Sequence, residues 1–508
     1  MKTMFGKDDI RRFCVRAIFG ILCVMILPVL GIESDSHLLA QAPASDKGVS
    51  ASKVERLNLA PVSKEILRVK LPSPVEATLD NGVTVMIMED HRFPTVSLQL
   101  QINGAGGIHE PSNQRGLATA TAQMMREGTK SRSSKQIAED VDKLGATLGV
   151  FSGFGSTTAV LSASGLSDNF DEWFGLFMDV LLNPTFPADE LEKMKTRLRV
   201  QLRQQRSQPG FLANERYDRV VYGDHPAAVS GFTEESIAAL ASEALATWHR
   251  DRYVPQGALL GIAGDVTAKE LIPKLRKWFA AWKKTDLRVS PPADPKPIAA
   301  QKVSIVDRPN SVQTTLTMGN IAIDRVHPDY IGLTVMNRVL GGGPAARLFI
   351  NLREEKGYTY GVYSYFSAGR YAGPWTAGGD VRTEVTDGAM TEFMKEFNRM
   401  RDEKVPPAEL DECKRSLVAN FALSLEQPTQ LLSYALTRKF YNLPVDYWDT
   451  YPAKLMAVSA DEVQQVARKY IDPGSMQIVA VGDAGKIEEI LGKYGPIEVY
   501  DIEGKKMK

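Results

Sequence analysis

Cysteine is nearly missing from this chain: its 508 residues contain three, and two of them, Cys14 and Cys23, fall within the first 42 positions. Beyond that stretch Cys413 stands alone, so no internal disulfide can form and a packed core has to hold the fold. With no histidine near it in sequence, Cys413 reads as a small buried hydrophobe and not as a nucleophile. Histidine is also scarce. After residue 42 there are His91, His109, His225, His249 and His327, no two within four positions, which excludes a metal-binding pair on one helical turn. Net charge is missing too, since 61 basic residues balance 61 acidic ones. That balance gives no electrostatic reason to expect nucleic acid as a partner. The run Gly341-Gly342-Gly343 lacks the Lys-Ser/Thr that a phosphate loop requires, and Pro344 behind it suggests the first turn of a helix.

One long apolar run is present. It is uncharged from Ala17 to Ile32, follows Lys2, Lys7, Arg11, Arg12 and Arg16, and precedes Ala40-Gln41-Ala42. A basic start, an apolar middle and a small-x-small end have the layout of a secretory signal, whereas Asp8 and Asp9 fit a mitochondrial transit peptide poorly. Residues 1–42 are therefore assigned to a signal peptide and the remainder to an exported, periplasmic protein. The run is only a little shorter than the roughly 20 apolar residues that span a bilayer. An uncleaved anchor stays open as the alternative, and only then is a membrane involved.

Residues 43–74 show little periodicity and read as a lead-in. Folded structure begins at Val75, where Thr78 to Met88 encloses Asn81-Gly82, the dipeptide most typical of a tight hairpin. Alternation predicts a strand over Val96–Ile102, and composition predicts a helix over Leu117–Glu127, closed by Gly128. Further strands are expected at 147–152 and 157–163, then helices at 168–182, 188–208 and 234–252. A buried strand is expected within Ala258–Val266 and a helix over Ala268–Trp282. Residues 284–301 hold Pro291, Pro292, Pro295 and Pro297 and read as a linker. After it the order of features returns: strands at 302–307 and near 312–318, a helix at 328–340, strands, then helices to 470. Gln477–Asp483 mirrors Leu260–Val266. This predicts an α+β fold of two homologous domains, 75–283 and 302–500, with a tail at 501–508. Each domain is expected to be a mostly antiparallel sheet layered with helices.

The stretch Gly116-Leu117-Ala118 through Met124-Met125 to Gly128-Thr129 resembles the metal-binding helix of the pitrilysin-type (M16) zinc peptidases, where a His-x-x-Glu-His motif occupies the middle. Further segments fit the same family: Gly231 to Ile237, Trp248 to Pro255, Gly264-Asp265-Val266, and Gly341 through Arg347-Leu348-Phe349 to Tyr360. Their order resembles the two-domain subfamily that includes the mitochondrial processing peptidase, over residues 75 to 495. In that motif two imidazoles four residues apart reach one zinc ion while the Glu serves as general base. Here those three positions are Thr119, Ala122 and Gln123. The family's third ligand, a Glu from a later helix, is also missing, because Lys193 to Asn214 contains no carboxylate. The resemblance therefore implies no catalytic residue, no metal and no cofactor in this chain.

In active members an Arg and a Tyr of the second domain reach the bound peptide, and Arg353 and Tyr360 match their spacing. A guanidinium and a phenol are directional donors suited to a carbonyl or an oxyanion. Read without the family, Arg353 would pair with a neighbouring carboxylate such as Glu354, and Tyr360 would be a strand-edge aromatic. The resemblance implies half of a clamshell: a non-catalytic, substrate-binding subunit of an exported heterodimeric zinc peptidase. Its partner would be a homologous subunit bearing His-x-x-Glu-His and the zinc, and its ligand an extended peptide. A peptide-binding or scaffold protein without proteolytic activity is the alternative.

Overall fold

The computed structural model describes residues 65–508. The assigned signal peptide and the lead-in before Glu65 lie outside them. Within the described residues two six-stranded mixed sheets each carry a layer of helices.

The first sheet has the order β1-β2-β6-β3-β5-β4, from β1 (Val75–Thr78), β2 (Thr84–Glu89), β3 (Thr95–Asn103), β4 (Thr147–Ser152), β5 (Thr158–Leu166) and β6 (Leu259–Gly264). The second has the order β12-β7-β11-β8-β10-β9, from β7 (Lys302–Asp307), β8 (Gln313–Ile323), β9 (Thr359–Ala368), β10 (Ala372–Arg382), β11 (Gln477–Gly482) and β12 (Ile497–Tyr500). Five strands occupy equivalent places in the two sheets. The sixth comes from opposite ends of the repeat: β1 precedes β2 and runs antiparallel to it, while β12 follows β11 and runs parallel to β7.

The helices of the first half are α1 (Leu117–Met124), α2 (Ser134–Lys143), α3 (Phe170–Leu182), α4 (Ala188–Arg206), α5 (Pro209–Tyr222), α6 (Glu234–Ala238), α7 (Ser242–Arg252) and α8 (Ala268–Phe279). Those of the second half are α9 (Tyr330–Leu340), α10 (Arg347–Phe349), α11 (Thr386–Asp402), α12 (Pro407–Ser424), α13 (Pro428–Phe440), α14 (Tyr447–Ala457), α15 (Ala460–Tyr470) and α16 (Ala484–Leu491). Alternation along the strands turns Leu98, Leu100 and Ile102 inward onto Phe174 and Phe177 of α3. In the second half Trp375 meets Phe397 edge to face at 5.4 Å.

The halves also exchange helices. Leu212, Ala213, Tyr217 and Val221 of α5 cover the outer face of the second sheet at Val306, Val479 and Val481. Leu432, Ala435 and Leu436 of α13 cover the outer face of the first at Met86, Met88, Leu259 and Ala263. Gly261 in β6 permits this approach, since a Cβ there would sit 2.7 Å from Leu436 Cδ1. Both helices open on Gln-Pro, with Pro209 and Pro428 at the first turn.

The hairpin forms as its Asn-Gly dipeptide predicts, with Gly82 at φ 92° and Leu79 N–H donating to Val83 O at 2.9 Å. Other expectations need correction. The helix expected over 234–252 is two helices, because Ala241 is extended and the break brings Ile237, Leu240 and Leu245 all into the core. The first-half helix expected to reach Glu127 stops at Met124. Pro344 lies in a turn ahead of α10, whose flanking residue is Ala346. Helix α2 was not expected, although Ser133 and Gln136 form a reciprocal capping box; nor was α5. Residues 501–508 pack back on the molecule: Val499 N–H donates to Lys508 O, and Arg206 and Arg216 donate to Ile502 O and Gly504 O.

Candidate functional site

Helix α1 is held at its N-terminus by a buried acid. Glu110 Oε1 accepts from the Ala118 N–H at 2.6 Å and Oε2 from the Gly116 N–H at 2.8 Å, satisfying two of the donors a helix start leaves open. Burial nevertheless pushes its carboxyl up to about 7, against the pull of those N–H groups and Arg115. Gly116 takes φ 91°, and the Phe232 ring fills the space where its Cβ would stand.

On this helix Thr119 and Ala122 are buried and Gln123 is exposed. The Thr119 hydroxyl is enclosed without a hydrogen-bond partner, Ala122 has no polar atom, and the Gln123 amide is turned to solvent. This set offers no imidazole and no general base, so it does not fit zinc. Among the described residues no group of three His, Cys, Asp or Glu side chains is arranged to hold a metal. From Lys193 to its end helix α4 carries cations and no carboxylate. They are largely paired: Lys193 with Glu190 at 2.8 Å, Arg197 with Glu127 at 3.3 Å, Arg199 with Glu234 at 3.4 Å and Arg206 with Glu215 at 2.5 Å.

In the second half the chain after α10 widens into a π-helical turn, Ile350–Glu355, in which Lys356 N–H reaches Asn351 O. Asn351 fixes it by donating to Glu392 and Glu396 at 2.9 and 2.7 Å. Arg353 projects from this turn. Its guanidinium lies 5.2 Å from the centre of the Tyr360 ring and 4.8 Å from that of Phe349, and it pairs with Glu354 at 2.8 Å. The Glu354 pair is the one expected of Arg353 without the family resemblance, and the guanidinium lies against the Tyr360 ring as well.

Tyr360 is 89% exposed at the start of β9, the outermost strand of its sheet. The β9–β10 register shifts between Val362 and Thr359, so Tyr360 and Gly361 together stand opposite Asp380 as a bulge. Tyr363 and Tyr365 are exposed further along. No hydrogen bond, ion pair or ring contact among the described residues links Arg353 and Tyr360 to Thr119, Ala122 or Gln123. Sequence reasoning missed Glu110, an acid six residues before the helix flank, and Phe151, 67% exposed on β4, the outermost strand of the first sheet.

Two family descriptions match the chain. "Insulinase (Peptidase family M16)" covers residues 84–228 and "Peptidase M16 inactive domain" covers 239–417. An uncharacterized zinc protease, YmxG, of Bacillus subtilis is 25% identical over 70% of this chain and 85% of its own length. The non-peptidase homolog YmxG of Helicobacter pylori is 23% identical over 80% of this chain and 93% of its own. Among solved structures, a peptidase M16 inactive domain from Pseudomonas fluorescens superposes with a TM-score of 0.73 at 27% identity, covering 81% of this chain and 98% of that one.

Proposed function

The chain belongs to the M16 peptidase family, as a homologue whose metal helix is unarmed, and from that premise we propose that it is the non-catalytic, peptide-holding subunit of an exported zinc peptidase. The observation that carries this reading is the Arg353–Tyr360 stack, displayed in the open at the head of β9, a sheet-edge strand whose outward main chain is covered only further along, at Ser364, by Gly341 and Asn337. A strand edge grips an extended peptide through main-chain hydrogen bonds whatever its sequence. A guanidinium and a phenol at its head add donors for a carbonyl. The zinc and its base would come from a homologous partner with an intact His-x-x-Glu-His. Alone, this chain neither binds zinc on α1 nor cleaves peptides. Export rests on the signal-like N-terminus; among the described residues no helix is long and apolar enough to cross a membrane.

The second reading, a peptide-binding or scaffold protein that has lost proteolysis, is favoured by the description of the Helicobacter pylori relative as a non-peptidase. Zinc content and peptide hydrolysis of the purified chain, alone and mixed with an armed homologue from the same cell, separate the two. Activity only in the mixture supports the subunit; peptide binding with an inert mixture supports the scaffold. Stoichiometric zinc with hydrolysis by the chain alone overturns both.

A further inference from the structure

Where the two halves meet, a cavity of about 230 Å³ opens between the β4–β5 loop, the β9–β10 hairpin tip and the ends of α5 and α13. Its wall is made of Ser156, Thr157, Thr158 and Ser367, the backbone of Gly155, Gly369 and Gly373, and aromatic rings around one cation, Arg370. The Tyr371 hydroxyl donates to Gly155 O at 2.7 Å and ties the hairpin of one half to the loop of the other.

Arg370 is fixed in place but not neutralised. Its guanidinium lies 4.1 Å from the centre of the Phe440 ring, and one terminal nitrogen donates to Phe440 O. Its Nε is buried and without an acceptor. A second cation stands close by: Arg325, only 7% exposed, donates to the Tyr447 hydroxyl, and both guanidinium groups lie within 6.0 Å of the Tyr441 ring centre. Among the described residues neither arginine forms an ion pair. Asp294 accepts from the Ala372 N–H at 2.8 Å and Asp218 from Ser230, and among the described residues neither forms an ion pair with Arg370 or Arg325. Burial without a counter-ion pulls Arg370 below the usual guanidinium range. Arg325 is enclosed and Arg370 half-buried, an arrangement of cations that an anion would relieve, and the fork of an arginine matches a carboxylate.

We propose that this cavity is a binding site for a single carboxylate, contributed by a peptide as its C-terminal group or an acidic side chain. The proposal rests on the peptide-holding reading and adds to it a recognised group. Strand β9 carries Tyr360 near its start and Ser367, which borders the cavity, near its end. Ser364 donates its N–H to Gly341 O and accepts from the Asn337 amide, so a peptide reaching from the Arg353–Tyr360 stack to the carboxylate site would cross roughly 23 Å, about seven residues, without pairing continuously along β9.

The test compares binding of one fluorescent, otherwise neutral peptide as free acid and as amide, by anisotropy on the full chain. N-acetylglycine, N-acetylglycinamide and inorganic phosphate serve as competitors and as thermal-shift probes. The acid is expected to bind at least about tenfold tighter than the amide, with a ratio near one in Arg370→Gln. Ser367→Glu, which places a carboxylate at the cavity mouth, is expected to give the same loss and covers the case in which Arg370→Gln fails to fold. Equal binding of acid and amide by the unmodified chain overturns the carboxylate site while leaving peptide holding intact. Failure of both peptides overturns peptide holding; a thermal shift by N-acetylglycine that Arg370→Gln abolishes would still support the cavity. Phosphate acting as well as N-acetylglycine overturns the peptide assignment.

Discussion

The Ala118 backbone N–H donates to Glu110 Oε1 across 2.6 Å, joining the start of α1 to the loop that leads into it. A second bond, from Gly116, uses the other oxygen. Truncation of Glu110 leaves both donors enclosed without acceptors. Glu110→Ala is expected to cost about 1–2 kcal/mol in urea unfolding, and Glu110→Gln, which keeps one acceptor, less. An unchanged midpoint for Glu110→Ala would show that the cap is ornamental.

Two histidines withdraw stability in acid, and two carboxyls oppose them. His249 is partly buried with Nε2 2.9 Å from Leu181 O, and that burial pushes it down to about 4; His109, partly buried beside Arg252, is also pushed down to about 4. In the unfolded chain each takes a proton near the ordinary value of 6.5. The unfolded state thus binds more protons between the two values, and stability is lost as pH falls from 6.5 toward 4. Glu110, raised to about 7, and Asp218, raised to about 6, act with the opposite sign: each binds its proton more readily when folded, and its contribution is lost as pH rises through those values. His249→Gln keeps a donor for Leu181 and should flatten the acid limb by on the order of 3 kcal/mol. A limb of unchanged slope would assign it to other groups.

Cross-packing makes one cooperative unit of the two sheets. Leu436, 1% exposed, lies on the first sheet but belongs to the second half, and Leu212, 2% exposed, is its counterpart on the second sheet. Leu436→Ala and Leu212→Ala should each cost about 2–5 kcal/mol. Each should also move tryptophan fluorescence and far-ultraviolet dichroism together in a single transition. Separate transitions in either variant would mean that the halves unfold independently.

The strands were legible in the sequence where local rules decide them. Asn81-Gly82 encodes its hairpin in the dipeptide itself, and Leu260 to Val266 and Gln477 to Asp483 are apolar enough to read as buried strands. The helix break at Ala241 was not legible, because alanine favours helix and only the placement of Ile237, Leu240 and Leu245 in the core requires the bend. The exchange of α5 and α13 depends on contacts remote in sequence, such as that between Gly261 and Leu436, which no window of sequence contains. At the site, the Arg353 to Tyr360 interval was legible, whereas the π-helical turn that aims Arg353 is held by Asn351 and two glutamates from α11. Glu110 escaped notice because its partners are backbone amides.

Exposure sets the outcome at the Arg353–Tyr360 pair. Neither side chain is part of the core, so Arg353→Ala and Tyr360→Phe should leave the unfolding midpoint within about 0.5 kcal/mol. If the pair holds the peptide as proposed, each should lower hydrolysis by the mixture with an armed homologue roughly 100-fold. Full activity in both variants would return Tyr360 to the status of a strand-edge aromatic.

Restoring His-x-x-Glu-His to α1 should not by itself rebuild a zinc site. In Thr119→His/Ala122→Glu/Gln123→His the two imidazoles would share one helical face, but Thr119 is enclosed and α4 offers no carboxylate from Lys193 to Arg206, only cations such as Arg197 and Arg199. Structural and catalytic zinc sites use at least three protein ligands, and each neighbouring guanidinium opposes a divalent cation. Zinc should therefore remain well below one per chain after dialysis against a weak chelator. Replacing an α4 arginine by glutamate removes a repulsive charge and supplies a carboxylate. Of Arg197→Glu and Arg199→Glu added to the triple variant, the one whose side chain reaches the new histidines should raise zinc occupancy and the other should not. Stoichiometric zinc in the triple variant alone would show that a third ligand is already in reach, and would shift the cause of inactivity from the whole site to the three positions on α1.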